Sequence, residues 1–277
     1  MPSFPNSRFP LGGLPFDTIA IGRTKKKRKD ETDETDFPST PNGTPLLWFK
    51  ADDLTMLWQD AAGSTAVTAD GQTVGKWGSS HPSVTYLAQS TNAAWEPTYK
   101  VNILNSRAGI KFDGTDDAMQ FDTGIPAASL DDCTMFAVVS GWTTGTGQII
   151  LGSTIPSNGG MQFAIQATDK ASIAVTGTAA IGESTSAYPT TGAIIVAQLA
   201  SGVSYAFYKG LTANGGAATA EVIANATAWV GAQQSGGTIS DFFNGYLHEL
   251  LIFDSVLSDA ARIANTNYLR GRWGTAL

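Results

Sequence analysis

Two distant segments constrain the fold of this chain more than any other feature of its sequence. Residues 109–121 alternate apolar and polar side chains around an Asp-Gly pair, which favours two strands joined by a tight turn. Residues 243–274 begin with a long apolar run and continue into a segment that follows Ser258. Serine is a favoured helix N-cap, and Gly271 offers a favoured helix end. The sequence therefore predicts a late strand followed by a helix at about 258–270.

The composition between these segments is typical of a turn-rich β protein. Of 277 residues, 42% are hydrophobic, 15% are charged and 30 are glycine, enough apolar material for a large core. Apolar runs separated by Gly, Ser, Thr and Asn predict further strands. These lie at about 132–142, 147–152, 160–166, 171–176, 193–200, 203–209, 227–232 and 244–254. The run at 193–200 lacks alternation, which indicates burial on both faces.

Residues 1–44 differ from the rest of the chain and predict an extended N-terminal arm. Prolines recur every few residues, and proline ends helices and cannot donate to a β ladder. Apolar side chains stand between the prolines, as an extended peptide needs if it is to lie in a groove of another subunit. The predicted anchors are Phe4, Phe9, Leu14 and Phe16.

A basic run within the arm extends the attachment hypothesis. Its residues Lys25, Lys26, Lys27 and Arg28 are followed at once by an acidic block at 30–36. One interpretation is electrostatic docking to an acidic partner. The alternatives are a solvated charge block and a nuclear-localisation or nucleic-acid patch, whose field the acidic block would weaken. Domain boundaries are predicted at 1–44 for the arm with its linker and 45–277 for the globular part.

The overall charge and the apolar runs exclude several partners. The net charge is −7 and the pI is about 4.7, which argues against nucleic-acid binding by the main body. No run approaches the roughly 18 apolar residues of a membrane-spanning helix, and the basic run follows rather than precedes the apolar residues, unlike a secretion signal. Cys133 is the single cysteine and is predicted to be a core residue.

A set of spaced motifs across residues 46–274 resembles a known superfamily. The matching positions are Trp48, Gly75-Lys76-Trp77, Pro97, Phe112-Asp113-Gly114-Thr115-Asp116-Asp117 and Gly245-Tyr246-Leu247-His248-Glu249. This pattern resembles laminin-G-like domains of the concanavalin A-like lectin-glucanase superfamily, of the type found in phage and bacterial proteins. The resemblance implies an all-β jelly-roll sandwich of two antiparallel sheets. Because such domains serve as glycan binders, adhesion modules and virion parts, it leaves function open.

One acidic cluster is a candidate metal site. Asp113, Asp116 and Asp117 supply the hard oxygen ligands that calcium prefers, and laminin-G-like domains often bind calcium at a loop rim. The alternative is structural, since an Asp-Gly turn and neighbouring Asp side chains commonly cap backbone amides. No other cofactor is predicted.

Four aromatic residues in or near loops are candidate sugar-stacking platforms. They are Trp95, Tyr99, Trp142 and Tyr188. The alternative is that these rings pack in the core or at its rim, as most aromatic side chains of a sandwich do.

Catalysis is not expected from this sequence. Glycosidases use two carboxylates flanking the scissile bond, and the Glu-x-Asp-x-Glu strand pattern of some related enzymes is missing. Only His81 and His248 could serve a Ser-His-Asp triad, and neither accompanies a nucleophile motif. Glu249 is interpreted as a structural partner within the sheet.

Two functional hypotheses follow from these features. The first is a non-enzymatic structural protein of a phage virion, a capsid decoration, fibre or spike component. Residues 1–44 would bind other virion proteins, the lectin-like domain would be displayed, and the protein would be a homo-oligomer such as a trimer. The alternative is a carbohydrate-binding or adhesion module that recognises host-surface glycans.

Overall fold

A computed structural model of the chain describes most of the globular part. It covers residues 44–81, 87–122, 130, 132–155, 160–175, 180–200, 202–219, 228–235 and 237–274. The predicted arm, with Phe4, Phe9, Leu14, Phe16, Lys25, Lys26, Lys27 and Arg28, lies outside the described residues. Attachment to a virion through this arm therefore stays a prediction.

The strands and helical segments follow the chain in a mostly β order. The strands are β1 (Leu47–Lys50), β2 (Leu57–Trp58), β3 (Lys76–Gly78), β4 (Leu87–Gln89), β5 (Thr98–Leu104), β6 (Arg107–Asp113), β7 (Met119–Phe121), β8 (Asp132–Ser140), β9 (Gln148–Ile155), β10 (Met161–Ile165), β11 (Ala171–Val175), β12 (Ala180–Glu183), β13 (Ala193–Ala200), β14 (Ser204–Lys209), β15 (Thr212–Ala218), β16 (Ala228–Val230), β17 (Gln233–Ser235), β18 (Thr238–Ser240) and β19 (Asn244–Phe253). Short 3₁₀ turns occupy Leu54–Met56 and Ala93–Trp95, and helix α1 spans Asp259–Trp273.

The described strands form two large antiparallel sheets. Sheet one has the order β15-β14-β13-β8-β19-β6-β5, and β1 also pairs with β19. Sheet two has the order β12-β11-β10-β9-β16-β7-β4-β3-β2. The hairpin β17–β18 joins sheet two through a parallel pairing of β17 with β9. This arrangement confirms the predicted jelly-roll sandwich with a short C-terminal helix.

The core lies between the two sheets. Because side chains alternate across a strand, a central strand such as β8 contributes every second residue, from Cys133 to Val139, to one large buried cluster. Phe49 of sheet one stacks on Trp77 at 5.2 Å and on Phe121 at 5.7 Å between ring centroids, and both partners belong to sheet two. Cys133 is fully buried in this cluster, as predicted.

Helix α1 covers the outer face of sheet one. Leu269 and Trp273 of the helix pack in a second cluster with Ile194 and Val196 of β13. The intervening β13 residue Ile195 belongs to the central core. The prediction that this strand is buried on both faces is thus confirmed. Across the ranges given above, no helix combines the length and apolarity that crossing a membrane requires.

The start of α1 agrees with the sequence prediction and its end does not. The Ser258 hydroxyl accepts a hydrogen bond from the Ala261 amide at 3.3 Å, which makes it the expected N-cap. The helix continues past Gly271 to Trp273, and Gly274 takes the terminal position with φ of 125°. Contacts made by the last turn explain the extension, because they hold it against the sheet.

Those contacts form a buried ionic network around Glu249. Its Oε1 accepts from the Trp48 indole at 2.5 Å, and its Oε2 accepts from the Trp273 indole at 2.6 Å and from Arg272 Nε at 3.2 Å. Arg272 also donates from Nη2 to both Asp52 oxygens at 2.7 Å. Burial raises the pKa of Glu249, and Arg272 opposes that shift. The interpretation of Glu249 as a structural partner agrees with this arrangement.

Candidate functional site

A row of outward-facing side chains crosses sheet two on the face away from the core. Cross-strand register places its members directly opposite one another on β2, β3, β4, β7 and β16. Their sequence neighbours Leu57, Trp77, Ala88 and Val230 point into the central core, so the row faces outward. We call this set the outer row: Trp58, Lys76, Gln89, Gln120 and Trp229.

A groove of about 410 Å³ lies over one end of the outer row. The row residues Gln120 and Trp229 belong to it, together with side chains from the turn before β5 and from the β17–β18 hairpin and its exit. None of the lining side chains is charged. The lining residues are Thr91, Trp95, Gln120, Trp229, Gln234, Gly237, Ile239 and Phe242.

The aromatic side of the groove is held by local turn chemistry. Asn92 caps the 3₁₀ turn by accepting from the Ala94 amide at 3.0 Å. The Trp95 carbonyl accepts from the Ala118 amide at 3.0 Å, which fixes this turn beside β7. The Trp95 ring is partly exposed and meets Trp229 edge-to-face at 6.4 Å between centroids. Trp229 is only 2% exposed, with Trp95, Ile239 and Phe242 packed against it. It therefore forms the floor of the groove, and Trp95 is the ring there that a sugar can reach.

The opposite side of the groove is formed by the β17–β18 hairpin. This hairpin passes close over β9 because Gly152 has no side chain: a Cβ there would lie 2.6 Å from the Ala232 carbonyl oxygen. The Gln233 amide group bonds to Gln162 on the sheet and to Asp241 at the hairpin exit. Close approach at a glycine thus sets the distance between the hairpin and the sheet.

Of the four aromatic residues predicted to bind sugars, the structure places Trp95 in this groove and the other three in the core. Tyr99, Trp142 and Tyr188 are 5%, 4% and 3% exposed and pack in the central cluster. The Trp142 indole donates to Asp169 at 3.0 Å, and the Tyr188 hydroxyl donates to the Tyr208 carbonyl at 3.1 Å. Because a buried ring cannot stack on a sugar, these three predictions are corrected to core packing.

Sequence reasoning missed most of the groove. Trp229 stands between two buried apolar residues, so no alternation showed which way it points. Ile239 and Phe242 lie on a hairpin that was not predicted. The one usable signal was the recurrence of glutamine at strand positions.

The predicted metal ligands do come together, in the turn after β6. One carboxylate oxygen from each of Asp113, Asp116 and Asp117 lies within 4.8 Å of the others. Much of this geometry serves the turn itself. Asp113 Oδ1 accepts from the Thr115 amide at 2.7 Å, and Asp117 Oδ2 accepts from the Asp113 amide at 2.7 Å.

The protonation of Asp117 also affects whether this cluster can bind calcium. Burial, with the neighbouring carboxylates, raises the pKa of Asp117 to about 7. A calcium ion would have to displace a proton that Asp117 holds in acidic and neutral solution. The oxygen donors suit calcium, and the backbone contacts explain the cluster without it, so calcium binding stays a prediction.

A buried Ser–His pair lies on the bulge of β19. His248 interrupts the pairing of β19 with β8, and its Nε2 lies 2.8 Å from the Ser140 hydroxyl. His248 Nδ1 contacts the Ala108 carbonyl at 2.9 Å, which makes it the donor there and leaves Nε2 to accept. Burial lowers the pKa of His248 to about 4. His248 is fully buried. The group at its Nδ1 is the Ala108 carbonyl, whereas a Ser-His-Asp triad would have a carboxylate there. We therefore interpret the Ser140–His248 pair as a structural brace of the bulge.

A second cavity is lined by residues of β13, β14, β15 and the end of α1. Its volume is about 400 Å³. It differs chemically from the groove, because Lys209 and Arg270 line it and none of its lining residues is aromatic.

Comparisons with known proteins identify the fold and no family. No family model and no curated protein matches the chain. Solved structures match at low identity. The Botulinum neurotoxin serotype D binding domain is 11% identical, with a TM-score of 0.54 over 84% of this chain and 54% of that one. Trypanosoma rangeli sialidase in complex with 2,3-difluoro-KDN is 14% identical, with a TM-score of 0.50 over 75% of this chain and 34% of that one.

A smaller carbohydrate-binding domain is also among the similar structures. The CBM40 domain of Ruminococcus gnavus IT-sialidase is 13% identical, with a TM-score of 0.46 over 57% of this chain and 96% of that one. The chain spans about a third of the sialidase chains it matches. At these identities the likeness shows the class of fold, a jelly-roll-like β-sandwich, and function has to be argued from the groove.

Proposed function

We propose that the chain is a carbohydrate-binding module and that the groove over Gln120 and Trp229 is its binding site. The observation that carries the proposal is the pairing of one partly exposed aromatic ring, Trp95, with the amide side chains of Gln120 and Gln234 in an uncharged groove on an open sheet face. Sugar rings present C–H groups that pack on aromatic faces and hydroxyls that exchange hydrogen bonds with amides. A glutamine amide supplies both donors and an acceptor.

The unpaired side-chain amide of Gln120 supports this assignment. The side-chain amide of Gln120 has no hydrogen-bond partner within the described part of the chain, although the amides of other glutamines do. Gln148 is bonded to the Thr143 carbonyl, Gln198 to the Leu257 carbonyl at 2.9 Å, and Gln162 to Gln233. A preformed pocket with a few convergent polar groups is the usual form of a small-ligand site.

The same groove argues for binding without turnover. Glycoside hydrolysis uses two carboxylates about 5–10 Å apart across the scissile bond, and none of the residues lining the groove carries a carboxylate. The similar structures include a toxin binding domain as well as sialidases. They therefore do not decide between binding and hydrolysis, and the residues of the groove favour binding. We expect bound glycans to be released unchanged.

A glycan-panel experiment tests the proposal. The full-length protein is applied to a panel of neutral homopolymer fragments of glucose, N-acetylglucosamine, mannose and galactose, with sialyllactose included. Trp95→Ala removes one ring, and Gln120→Ala removes an outward amide without touching the core. Because aromatic residues dominate binding energies, we expect Trp95→Ala to weaken binding by on the order of tenfold or more.

The matched control is Val203→Ala, which truncates an apolar side chain 64% exposed on the turn between β13 and β14. It should bind like the unmodified chain. If no panel glycan binds, or if Trp95→Ala binds as tightly as Val203→Ala, the proposed function is wrong. Release of new reducing ends from any panel polysaccharide would contradict the non-catalytic part.

A further inference from the structure

The outer row continues well beyond the groove. From Trp229 it passes through Gln120, Gln89 and Lys76 to Trp58 at the far strand β2. These are four strand-to-strand steps of about 4.8 Å, or about 19 Å in all. That length is several times the width of one sugar ring, whereas the groove covers only one end of the row.

The far end of the row carries a second aromatic platform. Trp58 faces outward beside the inward Leu57 and is partly exposed. Its ring lies against Gly78, where a Cβ would stand 3.3 Å from Trp58 Cζ3. The glycine lets the ring approach the sheet surface closely. Lys76 lies beside it, with Nζ 5.7 Å from the ring centroid.

Two of the three residues between the ends of the row are amides whose side chains have free hydrogen-bonding capacity, and the third is Lys76. Gln89 and Gln120 lie directly opposite each other in the register. Within the ranges that the structure describes, neither side chain bonds to another protein group, and both are partly exposed. Amides in this state are available to a ligand that lies along the sheet between the rings.

From this arrangement, and resting on the proposed function, we infer that the outer row binds a linear, neutral glycan chain laid across the strands from the groove beside Trp95 to Trp58. The groove would take one part of the chain, Gln120 and Gln89 would bond to its middle, and Trp58 would stack on a sugar about 19 Å away. A neutral chain is favoured because no charged side chain lines the groove and the net charge of −7 repels polyanions. Lys76 is the one charged residue of the row, and its Nζ lies beside the Trp58 ring.

Chain length is the variable that tests this inference. Calorimetric titration of the full-length protein would compare a single sugar with linear oligomers of increasing length, for each neutral homopolymer of the panel and for a uronic-acid homopolymer. Affinity should rise with length and level off once the oligomer spans the row. Trp58→Ala should remove that gain, about tenfold on long chains, and leave the shortest binding oligomers unaffected. Trp95→Ala should weaken oligomers of every length.

Two further variants separate binding from folding. Trp58→Phe keeps an aromatic face and should keep most of the length-dependent gain, while Gln89→Ala should lower it without disturbing either ring. Equal affinity for short and long oligomers in the unmodified chain would overturn the inference while leaving the proposed function intact. So would equal loss on short and long oligomers in Trp58→Ala, or a length-dependent gain confined to uronic-acid polymers. Absence of any binding would refute the proposed function instead.

Discussion

The packing of the β17–β18 hairpin over Gly152 can be tested directly with Gly152→Ala. A Cβ at this position would lie 2.6 Å from the Ala232 carbonyl oxygen, and 2.9 Å and 3.0 Å from Gln233 Cβ and Cα. Comfortable contacts between such atoms are about 3.5–4.0 Å. Because two of the three atoms belong to the backbone, a side-chain rotation cannot relieve the overlap. The hairpin has to move away from the sheet by about 0.5–1 Å.

The expected cost follows from this displacement. Overpacking of a well-packed site typically lowers the free energy of unfolding by about 1–3 kcal/mol. Replacing glycine by alanine also restricts the unfolded chain, and this effect stabilises the folded state by about 0.4–1 kcal/mol. The net loss should be about 1–2 kcal/mol in the free energy of unfolding, measured by urea titration. The retreat of Gln234, Ile239 and Phe242 should also weaken glycan binding, because these residues line one side of the groove.

Gly147→Ala is the matched control. Its Cβ would meet only the end of the Gln166 side chain, at 3.8 Å, so the same substitution near the start of the same strand should be neutral or slightly stabilising. Gly152→Ala should therefore be the less stable of the two variants by at least about 1 kcal/mol. If Gly152→Ala is as stable as Gly147→Ala and binds glycan as tightly as the unmodified chain, the hairpin is not positioned by this contact.

Two more perturbations test the buried charges. Arg272→Met leaves the Glu249 carboxylate buried without its cation, so unfolding free energy should fall by about 3–5 kcal/mol; a loss under 1 kcal/mol in urea titration would contradict the network. The raised pKa of Asp117, about 7 against 3.8, gives stability that is present below the lower value and lost as pH rises through the higher one. Asp117→Asn should flatten that decline in thermal unfolding between pH 4 and 7, and an unchanged profile would assign it to another group.

The parts of the fold that sequence could predict are those set by local chemistry. Alternation and turn residues located β8, β10, β13 and β14 to within a residue or two, and the cap at Ser258 located the start of α1. The end of α1 was mispredicted because a distant partner decides it. Trp273 is held by Glu249, 24 positions earlier in the chain, and no local signal at Gly271 could report that contact.

Most of the candidate site could not be predicted from the sequence, because the register of the paired strands is what brings its residues together. Trp58 and Trp229 are separated by most of the domain, and only cross-strand pairing through three intervening strands aligns them. Trp95 could be found because it stands in a loop. Tyr99, Trp142 and Tyr188 share that sequence context, and tertiary packing alone distinguishes them from Trp95.

The glutamines supply a physical reason to regard the outer face of sheet two as functional. Strand positions favour β-branched and aromatic side chains, and sheet one covers its own outer face with α1 and the Glu249 network. The side chains of Gln89 and Gln120 belong to neither of these classes. They gain no protein hydrogen bond within the described residues, and they stay partly exposed. Positions that depart from local preference without a structural gain are those where a ligand is expected to supply the missing contacts. The outer row therefore has the composition of a binding face.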